Sequence, residues 1–303
     1  MSPSRGPLSA GAHDLDVGDV TVRYTVAGRG PVCLMHPGGP GVSPHYLRMP
    51  LVEKQVTTVY LDPAGTGGSG RRPAHPHGYT LDFYRQCAEA IIAHLDSEET
   101  YFLGHSYGGL VGLQLARHRP GLLAGLICYD TGPVYGPELH AEAIRQVSEF
   151  ARRFSGHPEL PAVLAAVERE LAPDATDDQY SAALRDTAPL YFADYWGRRG
   201  EFGPLMDTVS VTNVLGGEGP FDFRGELSAI TVPALILVGR HDFIGPPRWS
   251  QELRRGIPGS RLVTFEESGH FAHLEEPHAF AAAIADFVSR RPSVTPEARK
   301  GEP

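Results

Sequence analysis

The chain has 303 residues, of which 41% are hydrophobic, so it is long enough for one large domain with an inserted subdomain. Its net charge of −9 disfavours nucleic-acid binding, which needs a basic face, and no apolar run approaches the roughly 20 residues of a membrane-spanning helix. The polar N-terminus lacks the apolar stretch of a signal peptide, and the three cysteines lie far apart in apolar segments. These features predict a cytoplasmic protein with reduced cysteines and with neither nucleic acid nor membrane as a partner.

Short apolar runs alternate with helical patterns over the first 130 residues. Residues 1–18 are predicted to be a loose lead-in, and residues 19–26 alternate polar and apolar side chains as an edge strand does. Further strands are predicted at 31–35, 57–61, 101–103 and 122–129, with helices at about 45–54, 81–95 and 110–118. Because buried strands that alternate with helices form parallel sheets covered on both faces, we expect an α/β core.

The alternation stops between residues 131 and 227 and then resumes. The interrupted stretch has helical patterns at about 137–154, 160–171 and 177–190, followed by an aromatic cluster. Strands are again predicted at 232–238 and 261–265, with helices at about 247–255 and 277–290. We therefore predict a core of residues 19–130 and 228–291, a helical lid of residues 131–227, and a flexible tail of residues 292–303.

The stretch Gly104-His105-Ser106-Tyr107-Gly108 lies between a predicted strand and a predicted helix. G-x-S-x-G in this context is typical of a nucleophile elbow, a turn so tight that the residues two before and two after the serine must lack side chains. Ser106 is therefore the candidate nucleophile, with its hydroxyl at the edge of the sheet. His105 is expected to point away from the cleft.

A nucleophilic serine needs a base within hydrogen-bond reach and a carboxylate that orients the base. Asp242 directly follows the strand at 232–238, and His270 lies in the loop after the strand at 261–265. Since the carboxyl ends of parallel strands meet at one edge of a sheet, we expect both side chains beside Ser106. His273 is a weaker candidate for the base, because the chain there is already turning towards the last helix.

Two backbone N–H groups should stabilise the negative oxygen of the tetrahedral intermediate. One is expected to be the amide of Tyr107, which follows the candidate nucleophile. The other should come from the glycine-rich loop after the strand at 31–35, where Gly38 and Gly39 are both candidates. The sequence does not choose between the two glycines.

The stretch from Gly65 to Gly70 matches the G-x-G-x-x-G pattern of dinucleotide-binding proteins. A dinucleotide site requires a helix to begin at that loop, so that its N-terminus can hold the pyrophosphate. No helix is predicted before Thr80. We therefore predict a tight loop that closes over the cleft, and neither a cofactor nor a bound metal.

Taken together, these motifs resemble the α/β-hydrolase superfamily over residues 19–291. The loop Gly38–Gly41, the segment Asp62–Ser69 and the position of the predicted lid are similar to the proline iminopeptidase branch. The resemblance implies an α/β-hydrolase fold, with a mostly parallel eight-stranded sheet covered by helices on both faces and an inserted helical lid. It also implies a serine peptidase or amidase whose lid recognises a substrate amine through acidic residues.

The sequence departs from the pattern of that branch at four positions. Pro37 is inserted before the glycines, Ala64 replaces an arginine, Tyr107 follows the serine where a tryptophan is often found, and Phe243 follows the candidate acid where some members carry a second acid. The same superfamily includes esterases and lactonases, and these departures lie where a substrate amine would be recognised. The identity of the substrate is therefore left open by the sequence.

Three functions are compatible with these observations. The first is a serine hydrolase of a small-molecule ester, lactone or amide, with an acyl-enzyme on Ser106. Its candidate substrate-binding residues are Tyr191, Tyr195, Trp196 and Phe243. The second is a proline iminopeptidase-type enzyme acting on short peptides, which needs a buried lid carboxylate. Its candidates are Asp186, Asp194, Glu201 and Glu218. The third is a non-hydrolytic catalyst or binding protein on the same scaffold, and the oligomeric state is open.

Overall fold

The computed structural model describes residues 6–168, 175–215 and 219–290. Its strands are β1 (Gly11–Val17), β2 (Val20–Gly28), β3 (Val32–His36), β4 (Thr57–Leu61), β5 (Thr100–His105), β6 (Gly125–Tyr129), β7 (Val134–Tyr135), β8 (Phe221–Asp222), β9 (Ala234–Gly239) and β10 (Arg261–Phe265). Its α-helices are α1 (Leu81–Leu95), α2 (Tyr107–His118), α3 (Pro137–Arg153), α4 (Leu160–Glu168), α5 (Asp177–Asp186), α6 (Arg199–Thr208), α7 (Pro247–Gly256), α8 (Ala272–Glu275) and α9 (Pro277–Ser289).

Eight of the strands form one sheet in the order β1-β2-β4-β3-β5-β6-β9-β10. β2 pairs antiparallel with β1 and β4, and all other neighbours pair in parallel. Every residue of β3, β5, β6 and β9 is buried, as expected of parallel strands that are covered on both faces. α1, α2 and α7 pack in one apolar cluster, and α9 packs in the other with part of the inserted segment. The predicted α/β-hydrolase fold is confirmed.

The N-terminal lead-in predicted for residues 1–18 is wrong from Gly11 onward. Residues 11–17 form the edge strand β1, which pairs with β2 through a tight turn at Gly18. Most of the strand is polar and exposed, while Leu15 and Val17 pack against the core. Because an edge strand buries few side chains, its composition resembles that of a loop, and the sequence alone does not indicate a strand here. The helix predicted at 45–54 is also wrong, since only Pro44–Leu47 is helical, as one 3-10 turn.

Residues 131–227, here called the insert, connect β6 to β9. β7 and β8 pair antiparallel at its base, and α3 to α6 follow one another between them. α6 was not predicted, because Pro204 and two glycines interrupt its helical pattern. The predicted helix at 177–190 divides before Pro189, which cannot donate a helical hydrogen bond. The end of the helix predicted at 160–171 lies outside the described residues.

The loop from Gly65 to Gly70 folds back onto β2 rather than over the cleft. The Gly68 amide donates to Oδ2 of Asp62 (2.6 Å), and the Ser69 hydroxyl donates to the Asp62 carbonyl (2.6 Å). The Arg23 amide in turn donates to the Ser69 hydroxyl (2.8 Å). The loop therefore braces the antiparallel side of the sheet, and the expectation that it closes over the cleft is wrong.

The three cysteines, Cys33, Cys87 and Cys128, are buried free thiols, as the sequence predicts. Burial raises the pKa of each thiol to about 12, so all three are unreactive core residues at neutral pH. Over the described ranges, no helix is both long and apolar enough to cross a membrane.

Candidate active site

Ser106 lies in the turn between β5 and α2, with φ of 53° and ψ of −118°. A positive φ is unusual for a residue with a side chain, and it projects Ser106 from the edge of the sheet. A Cβ atom at Gly104 would overlap the Gly108 carbonyl oxygen, and one at Gly108 would overlap the His36 carbonyl oxygen. The two glycines of the motif are therefore required by backbone contact, as the sequence pattern indicates.

Gly104→Ala is expected to destabilise the protein by about 3 kcal/mol or more, because the backbone that it would meet cannot move without disrupting the elbow. Urea denaturation measures the change. Gly121→Ala is the matched control, since a Cβ atom there meets nothing within 4 Å, and it should change stability by less than about 0.5 kcal/mol. Equal unfolding midpoints for Gly104→Ala and the wild type would contradict the tight-turn argument.

His270 and Asp242 form a buried pair at the carboxyl edge of the sheet. Nδ1 of His270 lies 2.8 Å from Oδ2 of Asp242, and both side chains are almost fully buried. Oδ1 of Asp242 accepts from the amides of Ile244 (2.9 Å) and Gly245 (3.0 Å), which fixes the carboxylate. Because a carboxylate only accepts hydrogen bonds, Nδ1 carries the proton and Nε2 keeps its lone pair.

Ser106 and His270 line the same cavity, and the Ser106 hydroxyl makes no hydrogen bond within the described residues. The cavity, here called the serine cavity, has a volume of about 110 Å³. Its remaining walls come from the glycine-rich loop and Tyr46, from His105 and Phe271, and from the insert and Ile244. The residues predicted as nucleophile and base therefore line one cavity, and Asp242 contacts the predicted base.

A chain of hydrogen bonds fixes the backbone on both sides of Ser106. The Gly38 amide donates to the Tyr46 hydroxyl (2.7 Å), which lies 2.7 Å from Nδ1 of His105. Nε2 of His105 lies 2.9 Å from the His270 carbonyl. A carbonyl only accepts, so Nε2 of His105 donates and Nδ1 accepts from Tyr46. Burial, and next the nearby His270, lower the pKa of His105, consistent with this neutral form.

His105 was expected to point away from the cleft, and the structure corrects this. Its ring lines the serine cavity, and its centroid lies 4.5 Å from that of His270. His105 therefore helps to fix the position of His270, the predicted base, by a hydrogen bond to its carbonyl and by contact between the two rings. Because the Gly38 amide is already engaged by Tyr46, only the Gly39 amide, which is not hydrogen-bonded within the described residues, is available to a ligand in the cavity.

His273 is buried away from Ser106, in agreement with its lower rank as a candidate base. Its Nε2 lies 2.8 Å from the Tyr46 carbonyl and its Nδ1 lies 2.8 Å from the Tyr129 hydroxyl. Burial lowers the pKa of His273 to about 4, so the ring is neutral. Both ring nitrogens are hydrogen-bonded, so His273 connects α8 to Tyr46 and Tyr129.

Asp130 was not recognised from the sequence. It follows β6 and is buried beside Asp242, and its Oδ1 accepts from the Gly239 amide (2.8 Å). Burial, and next the negative charge of Asp242, raise the pKa of Asp130 well above its usual range. The charged form of Asp130 is therefore disfavoured, and its Oδ2 has no hydrogen-bond partner among the described residues.

A second cavity opens on the other side of Ser106 and is here called the elbow cavity. Its volume is about 120 Å³, and Gly39, Ser106 and Ile244 belong to the walls of both cavities. Tyr107 and Asp130 contribute to its lining. Two small cavities therefore meet at Ser106.

The predicted substrate-binding residues divide into two pairs. Tyr191 lines the serine cavity, and it also lines a neighbouring apolar cavity of about 340 Å³, here called the middle cavity, together with Phe243. Tyr195 and Trp196 line none of the cavities described here. Trp196 stacks on His157 at 3.7 Å between ring centroids, so it packs the interior of the insert. An aromatic cluster in sequence does not distinguish a packing residue from a pocket wall.

The insert is tied to both loops that flank Ser106. The Thr212 amide donates to the Gly41 carbonyl (2.8 Å) on the glycine-rich side, and the His270 amide donates to the Tyr191 carbonyl (2.7 Å) on the histidine side. Glu275 adds a bridge, because its carboxyl accepts from the amides of Ala193 and Gly269. Burial raises the pKa of Glu275 to about 7.

The sheet has eight strands in this order, and a serine lies in the turn between its central strand β5 and the helix α2. This is the architecture of α/β-hydrolases. The family model for the alpha/beta hydrolase fold matches residues 31–277, and the chain belongs to that family of enzymes.

Relatives within the family differ in what their names say they act on. The proline iminopeptidase of Saccharolobus solfataricus is 28% identical over 262 residues, which cover 84% of this chain and 83% of that protein. A putative carbamate hydrolase, RutD, of Pseudomonas syringae pv. syringae is 28% identical over 252 residues, covering 80% and 87%. The structure of an enol-lactonase from Burkholderia xenovorans matches with a TM-score of 0.69 at 21% identity, covering 91% and 100%.

Proposed function

We propose that the protein is a serine hydrolase of small esters or lactones, acting through an acyl-enzyme on Ser106. The observation that carries the proposal is that Ser106 opens on two small pockets beside a buried His270–Asp242 pair. Within the described residues, Asp130 is the one carboxylic acid in the lining of these pockets, and burial disfavours its charged form, so the walls suit an ester or lactone better than a substrate amine. Amides remain within the same chemistry, as less reactive substrates.

The mechanism uses the proton positions described above. Nε2 of His270 takes the proton of the Ser106 hydroxyl while Oγ bonds to the substrate carbonyl carbon, and the carbonyl π electrons move to oxygen. The C–O bond to the leaving alcohol then breaks, and His270 returns its proton to that oxygen. Water repeats the sequence on the acyl-enzyme and releases the acid. Asp242 holds the Nδ1 proton and stabilises the imidazolium that forms in each step.

The oxyanion is proposed to bind the amides of Gly39 and Tyr107. Gly39 is preferred over Gly38 because the Gly38 amide already donates to Tyr46. Each such donor is typically worth about 3 kcal/mol of transition-state stabilisation. Gly38 instead contributes close packing, since a Cβ atom at this position would lie 3.0 Å from Cβ of Ser106.

The peptidase alternative needs a carboxylate that faces Ser106 and binds a substrate amine. Asp186, Asp194 and Glu201 are exposed and line neither cavity at Ser106, and Glu218 lies outside the described residues. Asp130 does line the elbow cavity, but burial and the neighbouring Asp242 raise its pKa and so disfavour the charged form that would bind an amine. These positions favour the ester or lactone over release of an N-terminal residue.

A comparison of two chromogenic substrates tests the proposal. We expect p-nitrophenyl butyrate to be hydrolysed and proline p-nitroanilide to remain uncleaved, with a fluorophosphonate labelling the wild type but not Ser106→Ala. Preferential cleavage of the proline anilide, measured as kcat/KM, would replace the proposal with the aminopeptidase. Absence of both turnover and labelling would support a non-hydrolytic protein on this scaffold.

A further inference from the structure

A cavity of about 670 Å³ lies between the second half of α3 and the loop after β9, and is here called the arginine cavity. Its basic lining residues are Arg145, Arg152, Arg153 and Arg240. Glu149 is its one acidic lining residue in the described part of the chain. Because the whole chain carries a net charge of −9, this concentration of guanidinium groups is a local exception.

Three of the four arginines are paired with carboxylates. Arg145 forms two hydrogen bonds with Glu142, Arg240 forms two with Glu266, and Arg152 pairs with Glu149. Such pairs hold the arginine side chains in place but leave little free charge for a ligand. The remaining arginine, Arg153, therefore decides whether the cavity attracts an anion.

Arg153 has no carboxylate within 4 Å among residues 6–168, 175–215 and 219–290. One of its five N–H groups donates to the Ala193 carbonyl (2.7 Å), and its guanidinium lies 4.6 Å from the ring centroid of Phe154. Glu275 and Asp194 influence it only from beyond ion-pair distance. Burial, and next the charge of Arg153, lower the pKa of His241, as expected beside an unpaired cation.

The arginine cavity adjoins the route to Ser106. It shares Leu190 and Phe243 with the middle cavity. The middle cavity in turn shares Val42, Leu184 and Tyr191 with the serine cavity. In the order from the surface, a ligand would meet an unpaired cation, then an apolar passage, and then the candidate nucleophile.

We propose that Arg153 binds an anionic oxygen group, a carboxylate or a phosphate, at the far end of the substrate. The substrate is then an ester whose apolar chain runs through the middle cavity to the carbonyl at Ser106. A planar guanidinium with free N–H groups matches the paired oxygens of either anion. The inference rests on the proposed function and narrows its substrate class to amphiphilic esters with one anionic terminus.

Three matched series of p-nitrophenyl esters of straight-chain acids test this. They carry, at the end of the chain remote from the scissile ester, a methyl ester, a carboxylate or a phosphate, over a graded range of chain lengths. At one preferred length, we expect kcat/KM for an anionic series to exceed that for the neutral series by about tenfold, mainly through KM. The better of the two anionic series identifies the group.

Arg153→Gln should remove the advantage of the anionic esters and leave kcat/KM for the neutral ester within about twofold. Arg290→Gln is the matched control, since Arg290 is exposed, paired with Asp286 and outside the lining of the arginine cavity, and it should change neither the anionic advantage nor kcat/KM for the neutral ester. Equal losses for neutral and anionic esters in Arg153→Gln would assign a structural role and overturn the proposal. So would a wild type that hydrolyses all three series alike, although the serine hydrolase itself would stand.

Discussion

Ser106→Ala is expected to lower kcat for p-nitrophenyl butyrate by about 10⁴-fold or more, because no bond to the substrate can form without the hydroxyl. The methyl group of alanine occupies the same turn, so the urea midpoint should stay within about 0.5 kcal/mol of the wild type. Pre-steady-state kinetics with substrate in excess should also lose the burst of p-nitrophenol that accompanies formation of an acyl-enzyme.

Ser289→Ala is the control for this substitution. Ser289 lies at the exposed end of α9, where its hydroxyl donates to the Asp286 carbonyl, and its removal should leave kcat unchanged. A Ser106→Ala protein that keeps more than a tenth of the wild-type kcat, with the burst intact, would place the nucleophile elsewhere.

Asp242→Asn and Asp130→Asn form a matched pair of isosteric changes in neighbouring buried acids. Asp242→Asn should lower kcat/KM by about 10⁴-fold, because an amide can donate to Nδ1 of His270 and so favour the tautomer that has no lone pair on Nε2. Asp130→Asn should leave kcat/KM within about threefold, since burial and the charge of Asp242 already disfavour the charged form of Asp130. Similar losses in both variants would mean that Asp130 acts as the orienting acid.

Asp130→Asn should also change how the free energy of unfolding depends on pH. The pKa of Asp130 is raised in the folded state, so the stability that this group contributes is present below about pH 4 and is lost as pH rises towards the folded pKa. Asp130→Asn does not titrate. It should therefore be more stable than the wild type at pH 8 and lose that advantage as pH falls to 4. If Asp130→Asn were less stable than the wild type by the same amount at every pH, the loss of the hydrogen bond from the Gly239 amide would explain the change instead.

The central strands and the order of the site residues could be predicted because each depends on local pattern. A strand that is buried on both faces is a continuous apolar run, as in β3 and β9, and Asp242 directly follows such a run. β1 could not be found in this way, because an edge strand that is mostly exposed keeps polar residues. Its existence follows from pairing with β2, which is a non-local property.

The pocket residues depended on contacts between distant parts of the chain. The Tyr46 hydroxyl that engages the Gly38 amide is held by His105, which lies 59 residues further along the chain, and nothing in the sequence indicates this contact. Asp130 comes soon after a buried strand, as Asp242 does, and this position is the one feature of the sequence that indicates a site residue there. The aromatic cluster around Trp196 suggests a pocket wall, but the Trp196 ring packs on Phe150 and Phe154 within the insert.

The ties of the insert to the loops at Gly41 and His270 have a mechanical consequence. An insert that swung open as a rigid body would pull on the peptide carrying the proposed base and on the loop carrying the proposed oxyanion donor. We therefore expect substrate to enter by side-chain movement within the cavities rather than by rigid-body opening of the insert.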